Sequence, residues 1–319
     1  MDLKQLEYFV RVAELGSFTR ASIALNVAQP ALSRQIRLLE VELRQNLLSR
    51  NGRGATPTEA GKLLLEHGRG ILHQVDVARE ELGVARGALA GRVSIGLPPS
   101  LSRLITVPLS QAFRVQLPQA QLTLTEGFSV SMVDGLRLGK LDMAVLYNPE
   151  RSPDMELATL HEEELVLISP RSGGKAGRKT AGKAAASAAH AAAKGRSRIT
   201  FKEVSGLPLI LPSRPNAFRL LIDDEAMRIG CQLRVTLEVD GLNGILNLVK
   251  EGFGHAVLPA YTLSNFENAE PFELRSIHQP RLMSQLTLVR SARRPATETQ
   301  KIARALVQEV VLRAIAPYA

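Results

Sequence analysis

The stretch SFTRASIALNVAQPALSRQIRLLE, residues 17–40, predicts two short helices joined by a tight turn. Ser17 is placed to cap the first helix, and Asn26 lies at the turn. The second helix is expected to begin at Gln29 and Pro30, because the missing N–H of proline goes unused in a first turn. The expected apolar positions are Phe18, Ala21, Ile23, Ala24 and Leu25 in the first helix and Leu32, Ile36, Leu39 and Leu43 in the second. This arrangement is typical of a helix-turn-helix that reads DNA.

The outer face of the second helix is polar and basic. A helix fits the major groove of DNA, where Arg pairs with guanine, Gln pairs with adenine, and Ser reaches bases or phosphates. The pattern therefore favours direct readout of bases, and the alternative is the solvated face of an ordinary helical hairpin. The predicted DNA contacts, including two residues of the segment after the helix, are Ser17, Arg20, Gln29, Pro30, Ser33, Arg34, Arg37, Arg50 and Arg53.

The second helix is the predicted recognition helix, and the segment that follows it, residues 47–55, predicts a hairpin or wing. Asn51 and Gly52 form a strong tight-turn signal, and Arg50 and Arg53 flank that turn. Residues 20–53 hold six Arg against Glu40 and Glu42, so this region is basic in its own right. A surface loop with solvated arginines is the alternative.

A long helix is expected next. Thr56-Pro57-Thr58-Glu59 predicts a capping box with Pro at the first helical position. Apolar or small residues then recur at steps of four and three over about four heptads. Such a seam needs a partner helix. It could pack on its own chain, although the preceding module is too small to cover it. The seam positions are Leu64, Gly68, Ile71, Val75, Ala78, Leu82, Ala85 and Leu89.

The first sixty residues closely resemble the N-terminal module of LysR-type transcriptional regulators. The resemblance implies a winged helix-turn-helix, a wing along the DNA backbone with Arg50 and Arg53 in that role, and a linker helix that pairs between subunits. One departure is Ala28, where the family usually has a capping Ser; a methyl group cannot accept the free N–H bonds, so this helix start should be slightly weaker. The matching positions are Leu6, Phe9, Val12, Ala13, Gly16, Ser17, Phe18, Ala21, Leu25, Gln29, Pro30, Ala31, Leu32, Ser33, Ile36, Leu39, Glu40, Leu43, Leu47 and residues 56–61.

From Arg92 onward, predicted strands alternate with predicted helices, which indicates an α/β domain. The pattern gives two similar lobes, and strands at 273–277 and 285–290 with a final helix at 297–316 are expected to return to the first lobe. The resemblance is weaker here and rests on residues 139–144 and 249–259. It implies a periplasmic-binding-protein-like fold with an effector cleft between the lobes.

Ligands in parallel α/β sheets bind where strands end and helices begin, because free N–H groups favour an anion there. Ser100, Ser129, Ser213 and Asn216 occupy such junctions and are the predicted contacts to a small carboxylate effector. The alternative is that each only caps a helix. Residues 128–131 and 209–219 look most like the nitrogen-assimilation-control branch of the family, which leaves an effector-independent regulator as an alternative.

Residues 171–202 are a basic low-complexity insert with nine Lys or Arg and no acid. Outside it, basic and acidic residues balance at 31 each, so the net charge of +9 comes from the insert. Its composition offers little apolar mass, which predicts a mobile surface insertion with a transient helix at 184–194. A basic arm that attaches to DNA is the alternative.

The expected organisation is an α/β protein with a winged helix-turn-helix at 1–57, a long linker and dimerisation helix at 58–90, and a two-lobed effector domain at 91–319. The chain lacks hydrolase, Walker and zinc-protease motifs and an apolar run long enough to cross a membrane, and its one cysteine excludes a disulfide framework. Asp2 and Lys4 are unlike the apolar core of a signal peptide, so we expect none. We expect a cytoplasmic regulator without catalytic residues, metal or cofactor. Its expected partners are an operator duplex, a second or further copy of itself, and RNA polymerase. The alternatives from other classes are a solute-binding protein and a nonspecific nucleoid-type DNA binder.

Overall fold

The computed structural model describes residues 1–51, 54–84, 89–171, 197–263 and 271–318. The N-terminal elements are three helices, α1 (Leu3–Leu15), α2 (Phe18–Ala24) and α3 (Gln29–Leu43), and a hairpin of β1 (Leu48–Asn51) and β2 (Gly54–Pro57). This confirms the predicted helix-turn-helix and places a two-stranded wing after it. The elements share one core, whose buried side chains include Phe9, Val12, Ala21, Leu32, Ile36, Leu39, Leu47 and Ala55.

The helix ends follow local chemistry. The Ser17 hydroxyl caps α2 by accepting from the Arg20 N–H at 3.3 Å. Ala28, at the start of α3, makes no side-chain cap, as its methyl group predicts. The inward placement of Leu43 is wrong, because it is 36% exposed, and among the apolar residues of the first helix Ile23, 75% exposed, and Ala24 also face outward. Helix α2 is only seven residues long and presents one face to the core, whereas Leu43 is the last residue of α3.

The linker helix α4 (Glu59–Val84) begins later than the sequence predicts. Its cap is Thr58, whose hydroxyl accepts from the Gly61 N–H at 3.0 Å. The predicted capping box from Thr56 is therefore wrong, because Thr56 and Pro57 belong to β2 and pair with β1.

The predicted seam on α4 is only partly free. A Cβ on Gly68 would lie 2.9 Å from Leu6 Cδ1, so this part of α4 packs on α1 of its own chain. Leu82, by contrast, is 70% exposed. Leu89 lies beyond the helix and packs against the core of the following domain, and Ala85 lies outside the described residues. The seam is therefore shorter than four heptads within the described part of α4.

The α/β region follows α4. In chain order, its elements are β3 (Ala90–Leu97), α5 (Pro99–Gln116), β4 (Gln119–Glu126), α6 (Ser129–Arg137), β5 (Met143–Tyr147), β6 (Met155–Pro170), β7 (Arg198–Thr200), α7 (Phe201–Gly206), β8 (Leu209–Leu211), α8 (Ala217–Arg228), β9 (Val235–Glu238), α9 (Leu242–Lys250), β10 (Ala256–Pro259), a 3₁₀ turn (Ala260–Leu263), β11 (Phe272–His278), β12 (Met283–Ser291), α10 (Glu298–Ile315) and a second 3₁₀ turn (Ala316–Tyr318).

Strand β6 joins two lobes. Its first part pairs with β12 in the order β4-β3-β5-β12-β6, which forms the first lobe with α5, α6 and α10. Its last part pairs with β10 and β11 in the second lobe. The parallel pair β8 and β9 lies beside β10 through a bridge between Leu209 and His255. One prediction is wrong here: β12 and α10 return to the first lobe, but β11 pairs with β7 and the end of β6, which places it in the second lobe.

The predicted insert overlaps this fold at its C-terminal end. Arg198 pairs in β7, Phe201 is buried, and Lys202 lies in α7, so residues 198–202 belong to the second lobe. The expectations of a mobile loop and of a transient helix at 184–194 fall on residues 172–196, outside the described residues. Among the helices described, none combines the length and the apolar composition that crossing a membrane requires.

Candidate DNA interface and inter-lobe cleft

Helix α3 presents its predicted contact residues on one exposed face. Gln29, Arg34 and Arg37 are exposed, and Pro30 is exposed in the first turn. Residues three and four apart share a helix face, so these side chains form one row with the half-buried Ser33. In the described ranges, neither Arg34 nor Arg37 forms an ion pair. Their charges are therefore available to an anionic partner.

The amide of Gln29 is oriented by a neighbour. Its Oε1 accepts a hydrogen bond from the Thr19 hydroxyl at 3.3 Å. This contact engages the carbonyl oxygen of Gln29 and leaves its NH₂ group as a donor. An amide held in this way can donate to a base edge while its carbonyl is already engaged.

Ser17 and Arg20 are engaged inside the protein. The Ser17 hydroxyl caps α2, and the Arg20 guanidinium donates to the carbonyl oxygen of Leu15. Both side chains stabilise the turn between α1 and α2 in this structure. Their contact with DNA stays a prediction.

The wing is attached to that same turn. The Ala55 N–H donates to the Gly16 carbonyl at 3.0 Å. Gly54 has a φ of +145°, and a Cβ there would lie 2.4 Å from the Gly16 oxygen, so only glycine fits. Arg50 lies in β1 opposite Ala55, and Arg53 lies outside the described residues. Their roles in the wing stay predictions.

Glu40 is a positioning residue that the sequence reasoning missed. Its Oε1 accepts from the Leu47 N–H at 2.9 Å and from the Leu48 N–H at 3.1 Å. Thr58 also contacts this segment, because its N–H donates to the Leu47 carbonyl at 3.0 Å. The carboxylate thus fixes the path from the recognition helix into the wing. Its place three residues before the end of α3, ahead of a chain reversal, is the available sequence signal.

The predicted effector residues are only partly brought together. Ser100, Ser129 and Asn216 line a cavity of about 40 Å³ between the lobes, and Ser213 does not line it. Asn216 caps α8, since its Oδ1 accepts from the Phe218 and Arg219 N–H groups at 2.9 and 3.3 Å. This is the alternative role that the sequence allowed for Asn216. The N–H of Ser213 donates to Asp240 at 2.9 Å.

The charge of this cavity is unfavourable for an anion. The Asp240 carboxylate lines it, and among the described residues no Lys or Arg does. The other walls are apolar or neutral, with Phe128, Phe218 and Leu258 among them. A side-chain contact also joins the two lobes, since Arg103 of α5 donates to the side chain of Asn243 in α9.

A buried polar network lies beneath the cavity. The Ser100 hydroxyl is 2.8 Å from the Tyr147 hydroxyl, which contacts the Tyr261 hydroxyl in turn. Tyr261 donates to Glu163 Oε1 at 3.5 Å, and the other carboxyl oxygen of Glu163 is buried and has no hydrogen-bond partner among the described residues. Burial raises the pKa of Glu163 to about 8. Near neutral pH, Glu163 is therefore a neutral carboxylic acid in a network that joins the two lobes. Of the residues in this network, only Ser100 was predicted from the sequence.

Comparison with known proteins agrees with this architecture. The family model described as "Bacterial regulatory helix-turn-helix protein, lysR family" matches residues 3–62. The model described as "LysR substrate binding domain" matches residues 86–180 and 183–311. Among curated proteins, the nitrogen assimilation regulatory protein nac of Klebsiella aerogenes is 34% identical over 92% of this chain and 90% of that protein. Its Escherichia coli (strain K12) counterpart is 31% identical over 98% of this chain and 95% of that protein.

Solved structures show the same fold. A full-length OxyR variant from Pseudomonas aeruginosa has a TM-score of 0.76 and 22% identity, with 98% of this chain and 95% of that chain covered. Full-length CbnR in complex with its target DNA has a TM-score of 0.61 and 23% identity, with 98% and 100% covered. The chain therefore belongs to the LysR family of bacterial transcriptional regulators, which join a DNA-binding helix-turn-helix to an effector-binding domain.

Proposed function

We propose that this regulator recognises its operator through Gln29, Ser33, Arg34 and Arg37 of α3. The observation that carries the proposal is the row of exposed side chains on α3, in which Arg34 and Arg37 have no acidic partner in the described ranges. Pairing of α4 between two subunits would place two such helices on one duplex, which favours operators with two related half-sites. The proposed division is 1–57 for DNA binding, 58–90 for dimerisation and 91–319 for the effector domain.

The experiment is competition binding at fixed salt between an operator and a random duplex. Arg34→Ala and Gln29→Ala should each remove a base contact and cost about 1–3 kcal/mol of discrimination. Arg114→Ala, which removes an exposed Arg of α5, is the matched control. A specificity ratio that stays at the wild-type value in folded Arg34→Ala would reject base readout by this face and favour the nonspecific binder.

We further propose that regulation does not depend on a carboxylate held in the inter-lobe cavity. A volume of about 40 Å³ is close to that of one liquid water molecule, about 30 Å³, and far below that of usual ligand pockets. The Asp240 carboxylate would also repel an anion. For the inter-lobe cavity, these observations favour a regulator that does not depend on an effector.

Calorimetry and footprinting with candidate carboxylates distinguish an effector-independent regulator from one that binds a carboxylate in the cleft. The proposal expects Ser100→Val and wild type to give the same footprints with and without carboxylate. A wild-type footprint that responds to a carboxylate and is lost in Ser100→Val, with operator binding intact, would instead establish a cleft effector coupled to DNA.

The target genes are proposed from the relatives. Because two nitrogen assimilation regulatory proteins match nearly the full chain, we propose that this protein acts on genes of nitrogen metabolism in the cytoplasm, together with RNA polymerase. Genome-wide mapping of bound sites under nitrogen limitation and nitrogen excess tests this. Sites that lie outside such genes under both conditions would contradict it.

A further inference from the structure

A second cavity, of about 450 Å³, lies in the first lobe and is distinct from the inter-lobe cavity. It is bounded by α10, by strands β5, β6 and β12, and by His73 of the linker helix. Its volume falls within the range of small-molecule sites in proteins. Its charged lining residues are Arg290, Arg294, Lys301, Arg304, Asp142 and Glu156.

Two of the four cations, Arg294 and Arg304, form no ion pair within the described part of the chain. Arg290 pairs with Glu156 at 2.6 Å, and Lys301 pairs with Glu298. Arg294 donates to the backbone carbonyls of Leu136, at 3.1 Å, and of Arg137. Arg304 is half-buried and forms no ion pair with any residue that the structure describes. The cavity thus has a surplus of positive charge in a partly desolvated place.

Asp142 offsets part of that surplus, because its carboxylate and the Arg294 guanidinium attract each other. Asp142 already accepts from the Ser94 N–H at 2.7 Å and from Gln300 Nε2 at 2.9 Å. Burial raises the pKa of Asp142, and it lowers the pKa of Arg294. On Arg290, the Nε–H is buried and has no hydrogen-bond partner among the residues that the structure describes. Arg290 as a whole lines the cavity, so its guanidinium lies beside an acceptor that enters.

We propose that this cavity binds a small organic or inorganic anion through a carboxylate or phosphate group, with Arg304 and Arg290 as direct contacts. The inference goes beyond the proposed function, because it concerns a different place from the inter-lobe cavity. The cavity also adjoins the contact between α4 and the effector domain, where His73 Nε2 lies 3.4 Å from the Pro295 carbonyl and Arg293 lies 3.6 Å from Glu66. An anion there would lie within reach of both sides of that contact.

The test uses the full-length protein with two probes, inorganic phosphate and succinate. Calorimetry and thermal unfolding should show binding at millimolar concentration, beyond the effect of sodium chloride at matched ionic strength. Arg304→Gln should weaken binding about tenfold, as expected for a lost charged hydrogen bond. Glu156→Gln should strengthen binding severalfold, because it removes a carboxylate that competes with the anion.

Two controls locate the site. Arg313→Gln alters another arginine of α10, paired with Glu309 and remote from the lining, and should bind as wild type does. Asp240→Asn removes the acid of the inter-lobe cavity; it should have no effect here, but it would strengthen binding at that other cavity. The proposal is overturned if neither probe binds, if sodium chloride gives the same stabilisation, if Arg304→Gln and Glu156→Gln bind as wild type does, or if only Asp240→Asn changes the affinity.

Discussion

Glu163 carries its carboxyl group where ionisation is unfavourable, next to Tyr261 and close to Tyr147. Its pKa rises from 4.5 to about 8 in the folded protein. Between these values the folded state keeps a proton that the unfolded state has lost, so the free energy of unfolding falls as pH rises. Above about pH 8 this loss is complete.

Glu163→Gln should remove that part of the pH dependence, because an amide fills the same volume without a charge. We expect the melting temperature of wild type to fall more between about pH 5.5 and 8.5 than that of the variant. Burial lowers the pKa of His255, which acts in the opposite sense but is common to both proteins. Parallel melting profiles for the two proteins would show that Glu163 is ionised, and solvated, in the folded state.

The network around Glu163 also shows which residues of the site can be predicted from the sequence alone. Ser100 was predictable as a residue of the cleft wall because it follows a strand and begins a helix. Its partners Tyr147 and Tyr261 are far apart in sequence and meet only when the lobes close. No local pattern marks such a pair. Asp240 was missed for the same reason, although it decides the charge of the cavity.

At the scale of elements, the joint between the wing and α4 depends on one glycine. A Cβ on Gly61 would lie 2.0 Å from the Leu47 carbonyl oxygen, a backbone atom that cannot move aside as the end of a flexible side chain could. Gly61→Ala should therefore destabilise the N-terminal module by about 1–3 kcal/mol or more and weaken operator binding.

Gly70→Ala is the matched control in the same helix, because a Cβ there meets nothing within 4 Å. It should be neutral or stabilise by up to about 1 kcal/mol through helix propensity. Thermal unfolding of the two variants makes the comparison. Equal stabilities would mean that the close contact at Leu47 does not exist in solution.

The linker helix gives a second prediction at this scale. Leu82 is 70% exposed within its own chain, and we expect a partner helix to cover it. Leu82→Asp would bury an unpaired carboxylate in that seam and weaken dimerisation about tenfold or more, with weaker DNA binding as a result. Gln74→Asp, an exposed change on the same helix, is the control. Sedimentation at micromolar concentration decides, and a Leu82→Asp protein that assembles like wild type rules out the seam.

Elements with a strong local period were the predictable ones. Helix α3 was predicted to begin at Gln29, and it does, because Pro30 and the spacing of Leu32, Ile36 and Leu39 act within the helix itself. The start of α4 and the lobe of β11 were wrong because pairing decides them: Thr56 pairs with Ser49, and β11 pairs with the end of β6. Such partners are distant in sequence and leave no mark on the local pattern.

For the whole molecule, the strand register predicts how residues 172–196 can be removed. Pro170 pairs with Phe272, and Arg198 pairs with Ser276, on opposite sides of β11. The two ends are thus about 13 Å apart along the strand and about 10 Å across it. A replacement linker of about six Gly and Ser residues spans this distance.

We expect that replacement to keep the fold and the operator preference, because β7 and β6 remain complete. It removes six Lys or Arg and no acid, so the formal net charge falls from +9 to +3. Circular dichroism and operator binding at several salt concentrations provide the readout. Much weaker DNA binding with a flatter salt dependence would identify the segment as a DNA-contacting arm.

The continuity of β6 predicts how the effector domain unfolds. One uninterrupted strand supplies hydrogen bonds to β12 in the first lobe and to β10 and β11 in the second. The two ladders occupy adjacent parts of this strand, residues 155–164 with β12 and residues 165–170 with β10 and β11. Loss of either sheet therefore frees one end of a strand that the other sheet contains, and the two lobes should unfold as one cooperative unit rather than in sequence. Amide hydrogens in the centre of β6 should then exchange with solvent only through global opening, more slowly than those of the outer strands β4 and β9.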